Sequence, residues 1–214
     1  MFFIRVHPCL SVVNSSICAI GEICGFVPPS ISAYSIFMET PIDANSQPAL
    51  RVLEQTPHVL HALLHYARPD VMDWKPSADR WSIREVLAHL VDVEQAGFCA
   101  RIEAMLREDN PFLAPYDQLA VIASGKYGNV AGGELLSRFE QQRGDSLKFL
   151  LRLPAVSLGR AGKHGELGRI TIQDLINEWG FHDLGHIRQI IELYRSKVFY
   201  PNMGAFQSYY TVHP

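Results

Sequence analysis

Four long stretches of the chain repeat their apolar residues every three or four positions, the spacing of a helix with one buried face. The first runs from about Ser46 to Ala67 on Leu50, Leu53, Leu60, Leu63 and Leu64, and ends at Arg68-Pro69, where a proline disfavours continuation. The second opens at Ser82, with Glu85 three residues on as a capping box. It carries Ile83, Val86, Leu87, Leu90, Val93 and Ala100 toward about Arg107, and Asn110-Pro111 stops it. The third spans about Gly133 to Leu153 on Leu135, Leu136, Phe139, Leu147 and Leu150, and stops at Pro154. The fourth starts at Thr171, with Asp174 in its first turn, and carries Ile172, Leu175, Ile176, Trp179, Ile190 and Leu193 to about Lys197. A long connection, about Asn110 to Gly132, separates helices two and three, and a Gly-rich stretch, Ser157 to Gly168, separates three and four. No segment shows a convincing period of two. The pattern predicts an all-α protein, a four-helix bundle with a long crossover loop.

Composition sharpens this at one end. Residues 1–37 hold two charged side chains, Arg5 and Glu22, yet three of the four cysteines, Cys9, Cys18 and Cys24. Asn14, Ser15, Ser16 and Glu22 interrupt the segment too often for a secretory signal, and a lone Cys99 downstream gives no disulfide framework. The expectation is therefore an irregular extension over 1–37 outside the domain, with the bundle occupying 38–214. The 214 residues carry a net charge of −3, with no basic excess to neutralise phosphates, which argues against nucleic acid as a partner. No apolar run reaches about 18 residues, so a membrane span is not expected. A soluble protein follows, and the single domain cysteine fits a reducing cytoplasm.

Chemistry enters on the fourth helix. With Ile172 at zero and about 100° per residue, His182 and His186 fall inside the apolar stripe, and two imidazoles one turn apart can reach one metal ion. On the second helix His89 stands at the edge of the stripe beside Val86 and Val93. A bundle builds metal sites from inward side chains on facing helices. His58, His61 and His65 on the first helix share a similar spacing, so spacing alone leaves them as competitors.

The run Trp81-Ser82-Ile83-Arg84-Glu85-Val86-Leu87-Ala88-His89-Leu90 resembles the opening of the second helix of the DinB-like superfamily, which includes thiol-dependent S-transferases. Thr171-Ile172-Gln173-Asp174-Leu175 and His182-Asp183-Leu184-Gly185-His186-Ile187-Arg188-Gln189-Ile190 are similar to its last helix. Asn110 to Asp117 resembles its crossover loop, and Tyr200-Pro201-Asn202-Met203-Gly204 its tail. The resemblance covers about 48–214. It implies an up-down-down-up bundle with one divalent ion, nickel or zinc, on His89, His182 and His186, and returns the first-helix histidines to surface or partly buried positions. Two positions depart from the family pattern: Gln118-Leu119-Ala120 after the loop motif, and Ala205 where a proline is common.

Three protein ligands leave a coordination position open, the mark of a catalytic site. A low-molecular-weight thiol there would become a nucleophilic thiolate; water there would serve hydrolysis, with a carboxylate as general base. Glu85 and Glu178, each four residues before a histidine, are the candidates for a base or for orienting an imidazole. Gln189 and Trp179 are candidate pocket residues, Trp179 being readable as core instead. Ala96 and Ala100, small residues below Val93, leave room for a substrate or let helices approach. The aromatic tail from Phe199 to Tyr210 closes over the bundle mouth or packs as structural cover. The expected function is a metal-dependent enzyme transferring a thiol onto a small electrophile. The alternatives are a metal-dependent hydrolase and a non-catalytic metal-binding stress-response protein. The partner is a small molecule, and a homodimer is left open.

Overall fold

A computed structural model describes residues 40–214, so the expected extension over 1–37 lies outside the described residues. Among the described residues seven α-helices follow in chain order: α1 (Pro48–Leu64), α2 (Pro69–Met72), α3 (Ile83–Val93), α4 (Ala100–Arg107), α5 (Gln118–Ala123), α6 (Gly132–Leu151) and α7 (Ile172–Val198). A π-helical segment, Glu94–Cys99, joins α3 to α4, so the two form one long rod. That rod, α1, α6 and α7 make the four-helix bundle.

Direction follows from which apolar residues share a layer. One end of the core gathers Leu50, Leu53, Ile102, Met105, Leu150, Ile172 and Leu175; the other gathers Leu60, Leu64, Ile83, Val86, Leu135, Leu136, Ile190 and Leu193. Chain position therefore rises toward the second end in α1 and α7 and falls away from it in α3–α4 and α6. The topology is up-down-down-up, and the long connection is needed because α4 and α6 run the same way. Close helix approach is visible at Gly180, where a Cβ would stand 3.1 Å from that of Ala49.

The starts of α3 and α7 match their sequence signals. Ser82 Oγ accepts from the Glu85 N–H while Glu85 accepts from the Ser82 N–H, and Thr171 and Asp174 repeat the exchange. The region read as strandless holds a small three-stranded sheet: β1 (Phe112–Leu113), β2 (Ala161–His164) and β3 (Gly168–Thr171). β2 pairs antiparallel with β3, and β1 pairs parallel with β2, Leu113 opposite His164. Strands of two to four residues are too short to show a period. Gly168, at φ 77, supplies the left-handed residue that closes the hairpin.

The two apolar layers are separated by a buried polar one. Arg143 of α6 donates through Nε and Nη2 to both oxygens of Glu94 at 2.9 Å, and through Nη1 and Nη2 to Asp183 of α7 at 2.6 and 3.1 Å. Its Nη1 also donates to the Leu53 carbonyl at 2.9 Å. That carbonyl is free because Pro57, four residues on inside α1, has no N–H to offer it. All five guanidinium donors are thus used, in a group 1% exposed.

Candidate functional site

The layer that holds Arg143 also brings the predicted histidines together. His89 Nε2 lies 3.0 Å from His182 Nε2, and His186 Nε2 lies 3.2 Å from the same atom. His89 is buried and the other two are partly buried. Burial pushes His89 and His182 down to about 3, with the neighbouring His186 adding to it, and lowers His186 as well. The three rings are therefore neutral at pH 7. His186 Nδ1 donates to Gln189 Oε1 at 2.9 Å, which leaves its Nε2 lone pair facing the cluster. Nδ1 of His89 and of His182 is buried with no partner among the described residues.

This donor set fits a divalent ion. Imidazole nitrogens about 2.0–2.1 Å from a tetrahedral centre stand roughly 3.3 Å apart, close to the separations found. Neutral rings are the form a metal binds.

The His89 ring packs against Trp81, 5.3 Å between ring centres, and against Tyr116, 5.9 Å away. Tyr116 belongs to the crossover loop and is tied down by Asp92, one turn after His89. Asp92 accepts from Tyr116 Oη at 2.9 Å, Lys126 Nζ at 2.7 Å and Tyr127 Oη at 3.0 Å. Burial works against its charge, but these three donors outweigh it and hold Asp92 below the usual carboxylate range.

A cavity of about 470 Å³ opens beside the cluster, walled by His89, His182, Glu178, Arg101, Tyr116 and His164, with Val93, Phe98 and Leu175 as apolar lining. Glu178 stands at its rim, its carboxyl raised by partial burial and only partly offset by Arg101. Burial lowers Arg101 in turn. His182 and Glu178 also face a second cleft, with His186 and Gln189.

Several expected residues lie elsewhere. Glu85 is not brought to the cluster: Oε2 caps α3 through the Ser82 N–H and Oε1 accepts from Lys75 Nζ at 2.9 Å. Trp179 is a core residue, 0% exposed and stacked on Phe98 with centroids 4.5 Å apart. Ala96 and Ala100 are exposed, because the π turn adds a residue to the rod and rotates Gly97 and Phe98 into the cavity instead. His58, His61 and His65 are exposed, with His61 paired to Glu140 at 2.7 Å. Most of the tail aromatics are exposed as well.

Pattern reading missed Glu94, Arg143 and Asp183, although Arg143 shares its helix face with Leu136, Phe139 and Leu150, which was the available signal. It also missed Asp92, Arg101 and His164. The last two had no signal, since one lies on the polar side of a helix and the other in the Gly-rich stretch.

A sequence profile described as the DinB superfamily matches residues 52–190. A protein of Oceanobacillus iheyensis whose name describes a metal-dependent hydrolase is 26% identical over 145 residues, 68% of this chain and 83% of that protein. The solved structure of YfiT from Bacillus subtilis, described as a probable metal-dependent hydrolase with an unusual four-helix bundle topology, superposes with a TM-score of 0.64 at 23% identity. It covers 72% of this chain and 89% of its own. At that identity the likeness concerns the fold.

Proposed function

The chain belongs to the DinB superfamily, and from that premise we propose that it is a metal-dependent hydrolase of a small molecule, its ion held by His89, His182 and His186. The observation that carries this reading is the convergence of three neutral imidazole Nε2 atoms, with His89 and His182 on the wall of a cavity that Glu178 also lines. The names of the two relatives agree with it.

His89, His182 and His186 would hold a divalent ion, which would supply Lewis-acid polarisation of a carbonyl and a lowered pKa for water. Nickel and zinc both suit imidazole. The rest falls to the chain. Gln189 holds the His186 ring by accepting from Nδ1, and so fixes which nitrogen faces inward. Asp92 anchors Tyr116 over His89, which narrows access of water from the crossover side. Glu178, its carboxyl raised by burial, takes the proton of the attacking water and returns it to the leaving group.

The test is elemental analysis of purified protein together with an ester and amide panel. About one nickel or zinc per chain, lost in His182→Ala along with hydrolysis, is the expected result. Activity that requires an added low-molecular-weight thiol would replace this reading with thiol transfer. A metal-bound protein with neither activity, whose melting temperature falls sharply on chelation, would leave a structural ion.

A further inference from the structure

Two cavity residues outside the histidine cluster carry hydrogen-bond donors that nothing in the described residues uses. His164 is 7% exposed, on the buried face of β2. Its Nδ1 accepts from the backbone N–H of Glu166 at 3.2 Å and of Leu167 at 3.3 Å, both in the hairpin turn. An imidazole whose Nδ1 accepts keeps its proton on Nε2. The hairpin therefore fixes the tautomer, and the remaining Nε2–H has no acceptor within the described residues although the ring walls the cavity.

Arg101 is the second. Its Nη2 donates to the Ala114 carbonyl at 2.8 Å, which pins the guanidinium at one point and leaves Nε and Nη1 without an acceptor among the described residues. Ala114 directly follows Leu113, and Leu113 is the register partner of His164. One strand register thus places both donors on the wall of the same cavity. Arg101 is a half-buried cation with no ion pair among the described residues.

The acids on the same wall do not supply its counter-ion. Asp174 Oδ2 is taken by the Thr171 N–H and hydroxyl, Glu166 is exposed on the turn, and Glu178 acts on Arg101 only at a distance beyond ion pairing. The cavity lining also includes apolar Val93, Phe98 and Leu175.

We propose that Arg101 and His164 form a carboxylate-binding end of this cavity, so that the molecule processed at the histidine cluster carries a carboxylate beside an apolar body. A carboxylate offers two acceptor oxygens and one negative charge, which matches one charged donor group and one neutral Nε2–H. The word "processed" rests on the hydrolase reading; the recognition itself does not, since neither residue belongs to the cluster.

Benzoate and benzamide, alike in shape and different in charge, are the probes. They are titrated into the full chain by calorimetry, with the Arg101 and His164 side-chain N–H signals followed by nuclear magnetic resonance. Benzoate binds about tenfold more tightly than benzamide and shifts both signals, and His164 reports the Nε2–H tautomer. Arg101→Met abolishes the preference, Arg101→Gln gives the same loss should the methionine variant fail to fold, and His164→Phe weakens benzoate several-fold. The preference persists in His182→Ala, which separates it from carboxylate bound directly to an ion. Equal affinity for the two probes, no binding of benzoate, or a preference lost in His182→Ala but kept in Arg101→Met each overturns the proposal. Absence of hydrolysis with the preference intact would sink the hydrolase reading and leave this one standing.

Discussion

Replacing Arg143 by methionine removes the cation at the centre of the buried polar layer and keeps a side chain of similar length. Glu94 and Asp183, 1% exposed each, then each lose Arg143 as bidentate partner, and the Leu53 carbonyl opposite Pro57 loses its donor. Breaking a buried ion pair from one side costs about 3–5 kcal/mol, because the orphaned charge stays desolvated. The unsatisfied carbonyl adds about 1–3 kcal/mol. Against a typical stability of about 5–15 kcal/mol, Arg143→Met brings the domain near its unfolding threshold at pH 7. The assay is urea unfolding followed by circular dichroism, repeated from pH 7 to pH 5. Burial already raises the Glu94 carboxyl in the intact protein, and without Arg143 the upward push is opposed only by the Ser146 side chain. A carboxyl whose folded pKa lies above its unfolded one favours the folded state at low pH and disfavours it as pH rises. The deficit of the variant therefore shrinks as pH falls. Glu94→Leu with Arg143→Met and Asp183→Leu removes the stranded charges and regains most of the loss. A single variant within about 1 kcal/mol of the parent at pH 7, or a triple variant no better than the single, refutes the reasoning.

Asp92→Asn loosens the crossover loop. Its depressed carboxyl contributes stability above the unfolded pKa of about 4 that is lost as pH falls through the folded value. The variant is thus less stable by about 1–3 kcal/mol at pH 7, and the gap closes on acidification in pH-dependent unfolding. Glu178→Gln lowers kcat by about 10²–10⁴ on any substrate hydrolysed, and abolishes an acidic limb of the pH–rate profile whose midpoint lies above the ordinary carboxyl range. Trp179→Ala, emptying a side chain stacked on Phe98, costs about 3–5 kcal/mol by urea unfolding. Cys99 is buried and its thiol is pushed up to about 11, so peptide mapping after iodoacetamide at pH 8 finds it unmodified until the protein unfolds.

How much of this could be read from the chain depends on whether the information was local. The starts of α3 and α7 were legible because a cap is a four-residue event, and Ser82-Glu85 and Thr171-Asp174 complete theirs with no help from the rest of the fold. His182 and His186 were legible for the same reason: one helical turn puts both on one face. Their meeting with His89 is a contact across 93 positions, which helix periodicity alone leaves open. The π segment broke a local rule, and every face assigned beyond Val93 slipped by one residue, which is why Ala96 and Ala100 point outward.

The buried charges were the harder case, because hydrophobic periodicity is blind to polar residues on the core face. Arg143 stands on the stripe of Phe139 and Leu150, and Asp183 between Trp179 and Ile190 on that of α7. An Arg and an Asp on two stripes of one bundle, with a proline freeing a carbonyl on a third helix, amount to a request for one another. Such a request cannot be granted singly: without its partners each would cost several kcal/mol to bury. The same layer holds His182, next in the chain to Asp183. The fully donated guanidinium fixes Asp183 through two hydrogen bonds, and with it the turn of α7 that aims His182 at His89. The polar layer is thus what sets the angle of the cluster. Arg143→Lys, which keeps the charge but has three donors without the planar fork, should retain most of the fold while widening the spread of His182 orientations. A loss of metal affinity in a folded Arg143→Lys protein, read by competition with a chelator, is the expected result. Unchanged affinity would confine the triad to holding the core.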